Sequence, residues 1–378
     1  MKIVIGGIRG LPAQYGGFET AVGETATRLK RLGHDVSVYC RGRQPVGGGE
    51  YEGVKLIYLP APRSSSLETI CHSIFLALHV IFVNQNVEVV HLYNAASSFG
   101  GLLLRLAGKH VVMTLDGVEW NREKWNWFAR LVWRLATWLA TRVASVTICD
   151  SNTVRKFFEH KYGKEMYYVP YGAKQIQGDM DLYKKFGLED RGYFLFVGRL
   201  VPEKGVDTLL EAYKLSGSSL PLVIIGDNDK NPGYVASLRR EASSNVHFLG
   251  FRFGPEYESL LAHAKVYVSA SKLEGTSPSL LAAMGARVCC LVNGIPENRE
   301  SGGQSVLYFN GTAADLAQKL ARLAARSEEV ERYAKAGLNY VREHYDWDVV
   351  TKRYAEAYWA AMTAPATSMV TQRRTWLP

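Results

Sequence analysis

Phe196-Val-Gly-Arg-Leu-Val-Pro-Glu-Lys-Gly205 decides how the second half of this chain folds. Tyr193 to Val197 is a short apolar run that stops at Gly198, and from Val206 to Tyr213 apolar residues return at helical spacing. Strand, glycine-bounded loop and helix in that order begin a βαβ unit. The carboxyl end of such a strand is where open parallel sheets bind ligands. The loop carries two cations, Arg199 and Lys204, to that edge. Further along, Glu274-Gly-Thr-Ser-Pro-Ser279 supplies a carboxylate and, ahead of the apolar run from Leu280, the amides of a helix start. Two cations suit a diphosphate, through charge-assisted hydrogen bonds worth about 1.5 to 3 kcal/mol each. A carboxylate suits sugar hydroxyls. Taken alone, the segment also fits a solvated Arg and Lys with a capping Glu.

The same grammar runs outward in both directions. Ile3 to Ile5, Val36 to Cys40, Val87 to His91, Val111 to Leu115 and Ser145 to Cys149 read as buried strands, with a helix from Phe18 to Leu32 closed by Gly33. In the second half Leu222 to Ile225, Val246 to Leu249, Val266 to Ala270 and Val288 to Val292 follow the first strand, with helices between. The fold class expected is α/β, with two doubly wound parallel sheets. Gly172, Gly178 and Gly187 interrupt periodicity between the halves. The expected division is 1–172, 173–345, a helix over 346–362 returning to the first domain, and a flexible tail over 363–378. Helical patterns fill Ala313 to Tyr340 and Val349 to Met362.

At 378 residues with 47% hydrophobic content, the chain has material for two cores. The five cysteines lack metal or disulfide-framework spacing, which points to a reducing compartment and no metal site. Met1-Lys-Ile-Val-Ile-Gly6 is too short and too early a turn for a signal peptide, so a cytoplasmic protein is expected. A net charge of +9 calls for an anionic partner: nucleic acid, an acidic membrane or phosphorylated substrates.

Four stretches in order, Gly6-Gly-Ile-Arg-Gly-Leu-Pro-Ala-Gln-Tyr-Gly-Gly-Phe-Glu19, Asp116-Gly-Val-Glu-Trp-Asn-Arg-Glu-Lys-Trp125, Val169-Pro-Tyr-Gly-Ala173 and Glu274-Gly-Thr-Ser-Pro-Ser-Leu-Leu281, resemble glycosyltransferase family 4 of the GT-B fold. The likeness is to a bacterial branch containing rhamnosyltransferases of capsule, exopolysaccharide and O-antigen synthesis, and it covers nearly the whole chain. It implies a retaining, metal-independent transferase taking a nucleotide sugar, best matched by dTDP-L-rhamnose, to a lipid-diphosphate-linked saccharide; a GDP- or UDP-sugar donor or an impaired nucleotide-sugar-binding protein are the alternatives. By the same resemblance Gly16 and Gly17 would close over the donor diphosphate. Arg199 and Lys204 would offset charge on the leaving nucleoside diphosphate, Glu274 would hold donor hydroxyls, and Gly275, Thr276, Ser277 and Ser279 would cradle phosphate or sugar. Asp116 stands at a strand end where many members carry His, with Glu119 and Asn94 as further acceptor-side residues. His91 reads more readily as a core histidine. The family's second glutamate would fall at residue 282, and this chain has Ala282 there.

Five of the eight tryptophans fall between Trp120 and Trp138, interleaved with Arg122, Lys124, Arg130, Arg134 and Arg142, and no Pro or Gly interrupts this stretch. One long amphipathic helix, Trp120 to Arg142, is expected. Either its apolar residues pack on the first sheet, or they and the arginines lie on an anionic membrane surface. No nucleic-acid-binding signature accompanies them.

Overall fold

The computed structural model describes residues 1–12, 17–42, 49–62, 67–115, 117–121, 126–178 and 181–364. The chain forms two compact units, one of Met1–Pro170 with the segment from Asp348 onward, the other of Tyr171–Trp347.

The first unit runs β1 (Lys2–Gly6), α1 (Gly17–Arg31), β2 (Asp35–Arg41), β3 (Glu50–Tyr51), β4 (Val54–Leu59), α2 (Glu68–Phe82), β5 (Val89–Tyr93), α3 (Ser98–Leu106), β6 (His110–Leu115), α4 (Trp127–Val143), β7 (Val146–Cys149), α5 (Asn152–Tyr162) and β8 (Tyr167–Tyr168). Its sheet has the order β3-β4-β2-β1-β5-β6-β7-β8, parallel except where β3 meets β4. Right-handed crossovers put α2, α3, α4 and α5, which all step toward β8, on one face and α1 on the other. Alternation along β5 serves both faces. Val90 and Leu92 join a core with Leu76, Leu104, Ala136 and Ala140. His91 turns the opposite way.

The second unit runs β9 (Phe194–Val197), α6 (Val206–Ser216), β10 (Leu222–Ile225), α7 (Pro232–Glu241), β11 (Val246–Gly250), α8 (Gly254–Ala262), β12 (Val266–Ser269), α9 (Pro278–Gly285), β13 (Cys289–Asn293), α10 (Pro296–Gly302), β14 (Leu307–Phe309), α11 (Ala313–Ala325) and α12 (Ser327–His344). The six strands are parallel in the order β11-β10-β9-β12-β13-β14. Leu195 and Val223 build a core with α8 and α9 on one face, and Phe194, Phe196 and Ile224 build one with α6 and α11 on the other. The last helix, α13 (Trp347–Thr363), returns the chain to the first unit. There Tyr358 Oη lies 2.8 Å from Nδ1 of His91, whose Nε2 lies 2.7 Å from Thr114 Oγ1.

Two expected elements change. The helical stretch Ala313 to Tyr340 breaks at Arg326 into α11 and α12. The tryptophan-rich helix begins at Trp127, not Trp120, because Asn126 caps it: its Oδ1 accepts from the Ala129 amide at 2.8 Å. Trp120 is a core residue, its ring 6.3 and 6.0 Å from those of Phe157 and Phe158. Arg122, Lys124 and Trp125 lie outside the described residues, as does the tail beyond residue 364.

Candidate functional site

Glycine chemistry assembles the site in the second unit. After β9 the chain makes a short 3-10 turn, Pro202–Lys204, and leaves it through Gly205 at φ +64°, a left-handed conformation costly for any residue with a side chain. A Cβ on Gly205 would sit 2.2 Å from the Ala270 carbonyl oxygen, so only glycine lets this loop lie against the end of β12. The backbone adds a tie, with the Lys272 amide donating to the Glu203 carbonyl at 2.8 Å. Two loops far apart in sequence are thereby locked edge to edge.

The consequence is a pairing that sequence spacing alone did not give. Lys204 Nζ donates to Glu274 Oε1, and both side chains are largely buried. Arg199, on the same loop, is exposed, and among the described residues no carboxylate pairs with its guanidinium. The unit therefore presents one ammonium held by a carboxylate and one open guanidinium at the carboxyl edge of its sheet. Thr276 and Ser277 are buried beside Gly275, and Pro278 opens α9. The hydroxyls of this motif bond inward: Tyr267 donates to Ser279 Oγ at 2.9 Å, and Ser277 Oγ is 3.3 Å from it. They shape the loop, which leaves the helix-start amides as its polar offering to a ligand. Ala282 lies in the second turn of α9, partly buried against the core.

One carboxylate escaped notice in the sequence. Glu297 opens α10 at the carboxyl end of β13, and burial, helped by the charges of Glu300 and Glu274, pushes its carboxyl group up. Its signal was Ile295-Pro-Glu directly after a strand, the pattern of a proline at a helix start.

In the first unit, Gly17 begins α1, while Gly16 and Asp116 lie outside the described residues. Glu19 lies in the first turn of α1. Its Oε1 accepts from the Arg9 amide at 3.0 Å, which fixes the glycine loop after β1. Arg41, also not singled out from sequence, ends β2 beside that loop: its Nη2 donates to the Gly7 carbonyl at 3.1 Å and its Nη1 lies 3.3 Å from Glu68. Asn94 ends β5 at φ 73°, its Oδ1 accepting from Ala96 N at 2.9 Å. Backbone of that kind costs about 1 to 3 kcal/mol in a non-glycine residue and clusters at functional positions. Glu119 is buried in a 3-10 turn, Glu119–Asn121. His91 is completely buried between Tyr358 and Thr114, a core histidine removed from solvent.

Residues 181–340 match the family of glycosyl transferases group 1, and residues 1–174 match a domain of unknown function (DUF1972). The GDP-mannose:cellobiosyl-diphosphopolyprenol alpha-mannosyltransferase of Xanthomonas campestris is 26% identical over 314 residues, 77% of this chain and 79% of that protein. The alpha-D-kanosaminyltransferase of Streptomyces kanamyceticus is 24% identical over 262 residues, 64% of this chain and 68% of the relative. Among solved structures, sucrose-phosphate synthase of Thermosynechococcus elongatus superposes with a TM-score of 0.80 at 18% identity, covering 96% of this chain and all of that one (100%). HepE of Anabaena in complex with UDP gives 0.76 at 16% identity, over 95% of this chain and 100% of its own. Residues 181–340 match a glycosyl transferases group 1 domain, and the chain has the fold of the GT-B glycosyltransferases on which it superposes.

Proposed function

We propose that this glycosyltransferase moves L-rhamnose from dTDP-L-rhamnose to a lipid-diphosphate-linked saccharide, with retention and without a metal, at the inner face of the cytoplasmic membrane during surface polysaccharide assembly. The observation that carries the reading is the Lys204 to Glu274 contact beside exposed Arg199 on one strand edge. In the reaction the bond from the sugar's anomeric carbon to the diphosphate breaks and negative charge collects on the phosphate. Arg199 and Lys204 offset that charge, a stabilisation realised mainly in the transition state. The acceptor hydroxyl bonds to the anomeric carbon on the face the phosphate leaves, and its proton passes to the departing phosphate oxygen. Glu274 exchanges part of its bond with Lys204 for hydrogen bonds to donor hydroxyls. The Gly275 to Ser279 amides hold the diphosphate; the family resemblance of the sequence adds Gly16 and Gly17 for the donor and Asp116, Glu119 and Asn94 for the acceptor. The Xanthomonas relative, named for a diphosphopolyprenol-linked substrate, supports the acceptor class.

Ala282 supports the dTDP donor. With no carboxylate at that position, a deoxyribose leaves one fewer hydroxyl to satisfy than a ribose. The GDP-mannose specificity in the same relative's name favours the second reading, a GDP- or UDP-sugar donor. Incubation with dTDP-L-rhamnose, GDP-mannose and UDP-glucose, each with a polyprenyl-diphosphate saccharide, separates them by which nucleotide is released. Release from none of the three, together with intact nucleotide binding, favours a binding protein that has lost turnover.

A further inference from the structure

Helix α4 is inside out for a soluble protein. The residues it buries are small, Ala136, Thr137, Ala140, Thr141 and Val143, whereas Trp127 is 77% exposed and Phe128, Leu131, Leu135 and Trp138 are exposed with it. The neighbouring helix surfaces continue the pattern. Helix α2 turns Leu76, Ala77 and Val80 inward and exposes Phe75, Leu78, Phe82 at 70% and, just past its end, Val83. Between them α3 exposes Leu106 and packs so close to α2 that a Cβ on Gly100 would lie 2.2 Å from the Ser73 carbonyl oxygen. The three helices lie side by side on one face of the sheet, α2 against α3 and α3 against α4. Exposed large apolar side chains recurring on three neighbouring helices point to an interaction site.

Charge selects the occupant. Helices α2, α3 and α4 carry Arg105, Arg130, Arg134 and Arg142 against a single carboxylate, Glu68, which lies 3.3 Å from Arg41. Arg134 and Arg142 are exposed among the apolar residues, and Arg142 lies over the Trp138 ring at 5.9 Å. A second copy of the chain meeting this face symmetrically would set arginine against arginine, whereas an anionic bilayer offers phosphates to the arginines and acyl chains to the rest. Among the described residues no helix is long and apolar enough to cross a membrane, so contact would be along the surface.

We infer that α2, α3 and α4 together form a platform that seats the first unit flat on an anionic membrane, with α2 inserting alongside α4. The inference rests on the membrane-proximal part of the proposed function and extends it from one helix to three. Seating along two roughly parallel helices fixes the unit's tilt, which one helix alone would leave free to roll.

The full chain is floated with vesicles of phosphatidylethanolamine and phosphatidylglycerol, and with vesicles of phosphatidylcholine alone. The platform predicts binding to the first set that weakens with salt, and at least tenfold weaker binding for the α2 variant Phe75→Asp/Phe82→Asp, although α4 is untouched. The α4 variant Leu131→Asp/Leu135→Asp should lose at least as much. Thermal unfolding checks that each variant is folded, and Phe82→Ser, at a more exposed position, stands in for the α2 pair if that pair is not. Folded α2 variants that bind as well as the wild type overturn the platform while leaving contact through α4 in place. Unchanged binding in both the α2 and α4 variants, equal binding to both vesicle types, or a stable dimer in place of vesicle binding would overturn membrane seating itself.

Discussion

Helices α4 and α11 are both amphipathic, both rich in Ala and Leu, and they point their apolar sides in opposite directions. Helix α11 buries Leu316, Leu320 and Leu323 under the second sheet and turns Lys319 and Arg322 outward to Asp315 and Glu329. Helix α4 buries Ala136, Thr137, Ala140 and Thr141 and turns Trp127, Leu131, Leu135 and Trp138 outward, while Trp133 packs against the core. An amphipathic pattern fixes that a helix has two faces, and the neighbours decide which of them is covered. Helix α4 lies against α3 and β6, and the side chains it buries are small. The difference extends to the units as wholes: exposed large apolar residues crowd the α2 to α5 face of the first unit, whereas the second exposes only Leu215, Phe253 and Leu273 among its described residues. The two cations of its candidate site, Arg199 and Lys204, share one loop beside Glu274.

The strongest test of this contrast places the same substitution on both helices. Leu316→Asp puts a carboxylate where the side chain is 0% exposed and should destabilise the second unit by about 4 kcal/mol or more. Leu131→Asp, on a side chain already in water, should change the stability of the first unit by no more than about 0.5 kcal/mol. Urea unfolding of each variant reads both. Comparable losses would mean that α4 is covered in the folded chain and that the inversion is not real.

Acid should separate the units next. Burial pushes His91 down to about 3, and burial followed by the nearby Arg41 charge pushes His72 down to about 4. Both groups stay neutral in the folded first unit and take up protons near pH 6.5 once unfolded, so the unfolded state gains protons as pH falls. Stability is therefore full above about pH 6.5 and drains as pH falls toward the folded values, by roughly 2 kcal/mol between pH 7 and 5 from His91 alone. His91→Gln should flatten that slope. A first unit whose unfolding midpoint is insensitive to pH between 7 and 5 would contradict the closed Tyr358 to Thr114 seat.

The alternation of strands and helices was legible in the residues because parallel strands buried on both sides read as uninterrupted apolar runs. Leu222 to Ile225 is an expected strand and the observed β10, and most others differ by one or two residues at their ends. The short edge strand β3 and the half-exposed β4 were not legible, since edge strands lack such runs. Of the candidate site, Arg199, Lys204 and Glu274 were singled out from the residues, but that Gly205 brings Lys204 onto Glu274 depends on the Ala270 carbonyl, a tertiary neighbour. The inversion of α4 was open for the same reason: spacing gives the stripe, not its direction. The run of small residues Ala136, Thr137, Ala140 and Thr141 was the available hint, because close helix packing selects small side chains.

Within the second unit, Lys204→Ala and Arg199→Ala should each lower kcat/KM by at least about tenfold, equivalent to about 1.4 kcal/mol of transition-state stabilisation. Lys204→Ala also strips the largely buried Glu274 of its cation, so it should cost some stability, which exposed Arg199 should not. Near-normal kinetics in both variants would remove the cation loop from the site and with it the contrast between a unit that binds and a unit that seats.

The smallest expected effect lies at Ala282. A carboxylate placed there by Ala282→Glu stands in the second turn of α9, one helix start away from Glu274, where the family resemblance puts a ribose contact. UDP and GDP present a ribose 2′-hydroxyl that dTDP lacks, so the variant should bind the two ribonucleotides more tightly by about 1 kcal/mol, the net worth of one hydrogen bond. The gain is held down by neighbours of like charge: Glu274 and Glu297 already interact with each other, and a third carboxylate nearby adds repulsion that the nucleotide diphosphate does nothing to relieve. Calorimetric titration with all three nucleotides isolates the hydroxyl from that background, because repulsion weakens every nucleotide alike whereas the hydrogen bond favours only two. Affinities that move together for UDP, GDP and dTDP, in either direction, would take residue 282 out of the ribose contact and remove the support that Ala282 lends to a dTDP-sugar donor.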